Sequence, residues 1–110
     1  MKKKYIVKND RDFNKIINNN KYLKSKKFII YYEDNNLNYD KYGISVGKKL
    51  GNAVTRNKFK RKIRSIIDEY RKNYNNSKNY IIILRRGGIN SSYQELKEDF
   101  FDLLITRKDN

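Results

Sequence analysis

The 110-residue chain has no histidine and no cysteine. Without imidazole or thiolate, zinc sites of the Cys/His kind and histidine-based acid–base catalysis are excluded. Without thiols there is no disulfide framework, as expected of a protein working in a reducing cytoplasm. No apolar run approaches the ~18 residues that a membrane span needs. The start, MKKKYIVKNDRD, is basic but lacks the apolar core of a signal peptide. Acids are scarce: 12 Asp and Glu stand against 27 Lys and Arg, a formal net charge of +15. Such an excess points to a polyanion, either nucleic acid or an anionic membrane surface. The mean hydropathy of −1.03 is that of a disordered chain. Yet Ile, Tyr, Phe and Leu recur with structural periods, which argues for one folded domain over 1–110 with a single modest core.

Asn9 with Asp12 three residues on reads as a helix start, and Phe13, Ile16 and Ile17 mark one face of a short helix. Tyr22–Ser25 is weakly extended, and FIIYY (Phe28–Tyr32) is a strand. Glu33–Asp40 reads as a hairpin loop. In Tyr42–Lys48, Tyr42, Ile44 and Val46 point one way, and Gly43, Ser45 and Gly47 the other. A long helix is predicted from about Asn52 to Tyr74, its apolar stripe made by Phe59, Ile63, Ile66, Ile67, Tyr70 and Tyr74. YIIIL (Tyr80–Leu84) is apolar on both faces, a covered strand. Ser91 or Ser92 caps a last helix with an inner face of Leu96, Phe100, Leu103 and Leu104. The predicted class is α+β: a single small sheet packed with three helices, in the order α-β-β-β-α-β-α.

Charge concentrates in KKLGNAVTRNKFKRKIR (48–64), with eight Lys or Arg among seventeen residues and no acid. Abundant Lys, Asn and Ile are also what an AT-rich coding bias produces. Arginine is the sharper marker, because its planar fork suits phosphate. Six of the eight arginines fall in two clusters: Arg56, Arg61, Arg64 and Arg71, then Arg85 and Arg86. At ~100° per residue, Arg56, Asn57, Lys60, Arg61 and Arg64 fill the arc beside the apolar stripe. Solvated helix faces usually mix signs, and this one does not. Gly51 and Asn52 stand before the helix, where unpaired amides and the dipole favour anions, with Lys48 and Lys49 just upstream.

This stretch resembles the signature of the bacterial ribonuclease P protein subunit. That pattern runs KK, any residue, GNAV, any residue, RN, two residues, KR, two residues, R. Lys48, Lys49, Gly51, Asn52, Ala53, Val54, Arg56, Asn57, Lys60, Arg61 and Arg64 match it. The family commonly has an arginine where Lys58 keeps charge without the fork, and an acid where Ser65 stands. Asp12-Phe13, GISV before the signature and YIII after it extend the likeness along the chain. The resemblance implies a protein that binds a large catalytic RNA and precursor transfer RNA, with no obligate protein partner. It assists magnesium-dependent endonucleolytic removal of the 5′ leader, the catalytic centre and the magnesium belonging chiefly to the RNA. It also implies a left-handed βαβ crossover, against the usual rule. Lys48, Lys49, Asn52, Arg56, Asn57, Lys58, Lys60, Arg61 and Arg64 are then the expected RNA contacts.

A second surface has small side chains. The Gly43-Ser45-Gly47 face leaves a floor on which a ligand can lie, walled by Tyr31, Ile29, Phe13 and Ile17. In the family, a cleft between the first helix and the sheet receives the single-stranded leader, and Phe13 and Tyr31 match aromatic positions associated with it. The plainer reading of Phe13 is a core residue. No protein-borne hydrolase site is expected: Glu33-Asp34 and Asp68-Glu69 are neighbours that point apart. Glu95, Glu98, Asp99 and Asp102 share a helix face but read as a solvated or internally paired stripe, with no metal site. The rival function is a ribosomal or nucleoid structural protein using its charge nonspecifically.

Overall fold

Five consecutive apolar side chains in Tyr80–Leu84 require cover on both sides of a strand. The computed structural model describes residues 1–106. In it this stretch lies within β4 (Lys78–Leu84), an inner strand of a four-stranded sheet. The spatial order is β1 (Tyr22–Lys24), β2 (Phe28–Asp34), β4, β3 (Lys41–Ser45). β1–β2 and β2–β4 pair antiparallel, whereas β3 runs parallel to β4. Three α-helices complete the fold: α1 (Asp10–Asn18), α2 (Ala53–Arg71) and α3 (Tyr93–Thr106). The chain order is the predicted α-β-β-β-α-β-α.

Glu33–Asp40 is not a hairpin loop, because β4 inserts between β2 and β3. The strand that is apolar on both faces takes the inner place, and β3, with Gly43 and Ser45 on one face, is left at the edge. The loop arches past the start of β4 and is pinned there. Asn35 N–H donates to Ser77 O at 2.9 Å. The Asp40 carboxylate, 4% exposed, accepts from the backbone N–H of Asn76 (3.0 Å) and Lys78 (2.8 Å) and from the Tyr42 hydroxyl (3.2 Å). The Asn76 side-chain amide then donates to the Tyr70 and Tyr80 hydroxyls at 2.9 and 3.0 Å. Burial, and after it the charge of Asp40, pushes the Tyr42 phenol far above its ordinary value, so it stays a donor.

The two faces of the sheet differ in cover. Phe28, Ile30, Tyr42, Tyr80, Ile82 and Leu84 pack against α2 and α3 in the main core, with Ile63, Ile66, Phe100 and Leu103 from the helices. The opposite face holds a smaller cluster of Val7, Ile16 and Ile81 under α1, flanked by half-buried Phe13, Ile17, Tyr31 and Ile83. The N-terminal segment straps the outer edge of β3, where Val7 N–H donates to Tyr42 O at 2.9 Å.

Helix ends follow the expected caps. Asn9 Oδ1 accepts from Asp12 N–H, and Asn52 Oδ1 from Thr55 N–H, each at 2.9 Å. Ser92 and Glu95 form a reciprocal capping box on α3. α2 ends at Arg71, short of the predicted Tyr74, whose ring nonetheless stacks on Tyr70 at 4.8 Å. Gly51 enters α2 at φ +156°, and a Cβ there would lie 2.9 Å from Thr55 Cγ2, so the entry requires glycine.

Removing the Asp40 carboxylate strands two enclosed backbone donors. Asp40→Ala is expected to cost about 2–3 kcal/mol, read as a lowered urea midpoint with near-native far-UV circular dichroism. An unchanged midpoint would mean that other contacts hold the loop.

Candidate nucleic-acid interface

α2 buries Phe59, Ile63, Ile66, Ile67 and Tyr70. That stripe fixes the rotation of the helix and turns its basic flank outward. Asn57, Lys58, Arg61 and Arg64 are exposed, while Arg56 and Lys60 are half-buried. The ion pairs among the described residues are Asp68–Arg71, Asp34–Lys78 and Glu69–Lys97, and none involves this flank. The Arg56 Nε is enclosed without a hydrogen-bond partner, an unmet donor on a charged group.

Exposed Lys48 and Lys49 sit in a single 3-10 turn (Lys48–Leu50) before α2. The Asn52 oxygen is committed to the cap, which leaves its NH2 as the group that can donate outward. The N–H groups of Ala53 and Val54 have no acceptor within the helix, as helix geometry requires. Two amides, the positive dipole end and the flanking lysines therefore open one site for phosphate oxygens. The ridge runs from there along α2.

The second surface is narrower than its side chains imply. The Phe13 ring lies over Gly43: a Cβ at Gly43 would be 2.6 Å from Phe13 Cζ. Part of the glycine floor is thus covered by the chain itself, and Gly47 stands exposed beyond the end of β3. What stays open is a cleft of about 460 Å³ beside α1, lined by Asp10, Phe13, Asn14 and Ile17 of α1, Ile44, Ser45 and Val46 at the end of β3, and Lys60 of α2. Register extends its floor, since Ser45 pairs with Ile83 and Ile83 with Ile29, all three half-buried. Tyr31 shares this face, packs against the small cluster and lies 5.5 Å from the ring of Tyr22, itself 48% exposed.

Asn14, Ile83 and the double role of Lys60 were missed from sequence. Ile83 was legible only from its register with Ser45, and Lys60 only from the approach of α2 to α1. Lys60 joins the ridge to the cleft.

Of the remaining charged candidates, all but Arg86 are engaged within the chain. Arg85 ties the end of β4 to the β1–β2 turn, its Nη1 donating to Ser25 O at 2.6 Å, while Arg86 is exposed. Asp99 accepts from Ser25 Oγ, Glu95 closes its capping box, Asp102 takes the Thr106 hydroxyl, and Glu98 accepts from Gln94. Among the described residues no three His, Cys, Asp or Glu side chains are grouped to hold a metal ion. None of the described helices is long and apolar enough to cross a membrane.

Residues 1–108 match the family model described as Ribonuclease P. The chain is similar to the ribonuclease P protein component of Mycoplasma mycoides subsp. mycoides, 46% identical over 108 residues covering 94% of this chain and 96% of that relative. It is similar also to that of Streptococcus gordonii, 40% identical over 108 residues covering 98% of this chain and 90% of the other. The solved structure of the Staphylococcus aureus RNase P protein superposes with a TM-score of 0.86 at 31% identity, covering 94% of this chain and 95% of that one. With the signature on α2 and its cap, and with matches along nearly its whole length, the chain belongs to the ribonuclease P protein family, whose role is the processing of transfer RNA at its 5′ end.

Proposed function

We propose that this chain is the RNA-binding subunit of a cytoplasmic ribonucleoprotein, bound through the α2 ridge to a catalytic RNA and through the α1–sheet cleft to the single-stranded 5′ leader of precursor transfer RNA. The observation that carries this reading is the ridge: a row of cations on a core-packed helix, none paired with an acid among the described residues. Cations held so close gain most when phosphates replace their counterions. Stacking in the cleft suits an unpaired strand of any sequence, because every base offers a π-face.

The protein's contribution is electrostatic and positional. Phosphodiester hydrolysis needs metal-held oxygens or a poised acid–base pair. In this reading the chain's own side chains supply cations and ring faces. The endonucleolytic centre and its magnesium are assigned to the RNA. The cleft grips what precursor has and mature transfer RNA lacks, which favours substrate over product.

Reconstitution tests this reading. Precursor transfer RNA is incubated with protein alone, catalytic RNA alone, or both, across a magnesium series. Cleavage is expected with both, stimulated most at low magnesium, where protein cations replace some of the screening. Turnover by protein alone would refute the assignment, and equal stimulation at every magnesium level would refute the electrostatic role. A nucleoid or ribosomal protein would give no stimulation.

The ridge has its own readout. Arg61→Ala with Arg64→Ala removes two exposed cations and no core contact, so folding is retained. The slope of log K against log salt for the catalytic RNA is expected to flatten by roughly one to two units. An unchanged slope would remove the ridge from the interface.

For the cleft, Tyr31→Ala is measured in the holoenzyme against a series of leader lengths. Loss of one stacking partner is expected to weaken precursor binding about tenfold, leaving mature transfer RNA binding nearly unchanged. Equal loss for leaderless RNA, or none, would reduce Tyr31 to a packing residue.

A further inference from the structure

At the far end of α2 the chain builds a second aromatic and cationic site. The carboxyl end of α2, the N-terminal 3-10 turn (Lys3–Tyr5) and the loop before β3 enclose a cleft of about 160 Å³, lined by Tyr5, Tyr39, Asp40, Arg71, Tyr74 and Asn75. The Tyr5 and Tyr39 rings meet edge to face at 5.3 Å. Lys4 Nζ stands 5.1 Å and 5.0 Å from their centroids, and the Arg71 guanidinium lies 3.7 Å from the centroid of Tyr5. Tyr74 spends one face on Tyr70, at 4.8 Å and 16°, yet is 38% exposed. The hydrogen-bonding groups of the floor are already committed. Asp40 takes backbone donors, while Asn75 donates to Asn38 O and accepts from Ser77 N–H.

We propose that this cleft holds one unpaired nucleotide of an RNA strand, its base stacked on the tyrosines and its phosphate met by Lys4. The division of surfaces favours that occupant. Three tyrosines offer ring area, Asp40 and Asn75 of the floor are engaged within the chain, and the recognition left over is chiefly stacking. Lys4 is exposed and has no ion pair among the described residues. An apolar peptide would have to strip water from that ammonium without replacing it, whereas a phosphate pairs with it. Arg71 is already drawn toward Asp68, at 3.5 Å, and serves mainly to brace Tyr5.

The site is distinct from the leader cleft. It lies at the carboxyl end of α2 and at the Lys41 end of β3, whereas the cleft lies at the Ser45 end, beside the first half of α2. Nineteen helical residues span roughly 28 Å. The inference goes beyond the ribonuclease reading and does not require it.

The test uses the full chain without any RNA subunit, so its outcome is separable from holoenzyme activity. A four-nucleotide oligoadenylate and an abasic strand of equal length and charge are titrated in turn, with backbone amide shifts followed by NMR. The oligoadenylate is expected to shift Tyr39, Arg71 and Tyr74, and the abasic strand to leave them largely unmoved. Tyr74→Leu keeps bulk against Tyr70 and is expected to weaken binding at this end about tenfold, with shifts around Phe13 and Ser45 unchanged. Should Tyr74→Leu fail to fold, Tyr39→Leu, on a loop, carries the same comparison. Shifts confined to the Phe13–Ser45 cleft, equal shifts from the abasic strand, or undiminished affinity in the folded variant would each overturn the proposal.

Discussion

The fold depends on covering β4 twice. A strand with Tyr80, Ile82 and Leu84 on one side and Ile81 and Ile83 on the other cannot leave either face to water. The longer helices, α2 and α3, supply the larger core, and nine-residue α1 covers only part of the second face. Because α1 is short, Ile83, Ile29 and Ser45 remain half-buried beside it. The cleft is thus what one short helix leaves uncovered on a four-stranded sheet. Its position follows from the same demand that put β4 in the middle.

Segregation of charge follows from where the acids are spent. Asp40 and Glu95 are consumed by backbone donors, Asp99 by a serine hydroxyl, and Asp34, Asp68 and Glu69 by Lys78, Arg71 and Lys97. Hydrogen bonds from Lys97 first, then from Tyr93, hold the Glu69 carboxyl below its ordinary range. The acids thereby tie α2 to α3 and the loops to the sheet. None of these acids pairs with Arg56, Lys60, Arg61 or Arg64, and Asp10 is the acid that shares the cleft with Lys60. A chain of net charge +15 tolerates that repulsion because the ridge stands on a stripe of five fully or nearly buried side chains. Stability rests on the stripe and not on the exposed cations of the flank, which lets the two be altered separately.

Local patterns made most of the architecture legible. The alternation in Tyr42–Val46, the stripe of α2 and the caps at Asn9, Asn52 and Ser92 are each written within a few residues. Strand order was not, because pairing depends on competition among strands for the inner place. FIIYY followed by a polar loop and an alternating run has the look of a hairpin, and only the stronger burial demand of YIIIL displaces it. The ridge was legible for the same reason as its helix: one period governs both faces. The cleft was legible only in part. Phe13, Ile17 and Ser45 were recognisable from side-chain size and periodicity. That Phe13 itself covers Gly43, and that Ile83 continues the floor, depends on register and on the approach of α1, which no local pattern encodes.

Gly43 links these levels. A methyl group there would run into Phe13 and into Ile81 Cδ1, 2.9 Å away, so α1 approaches the sheet only as closely as a glycine allows. That approach buries Ile16 against Val7 and Ile81, and it sets the height of Phe13, Asn14 and Ile17 above Ser45. A bulkier residue at Gly43 would lift α1, loosening the small core and widening the cleft together. The glycine in the edge strand therefore bears less on the freedom of its own backbone than on the spacing of two elements far apart in sequence. Lys60 reaches the same cleft from α2, so packing on one face of the sheet and charge carried from the other converge on one channel. A single strand lying there would meet Phe13 and Lys60 at once, a stacking face and a cation brought together by a short helix and a glycine.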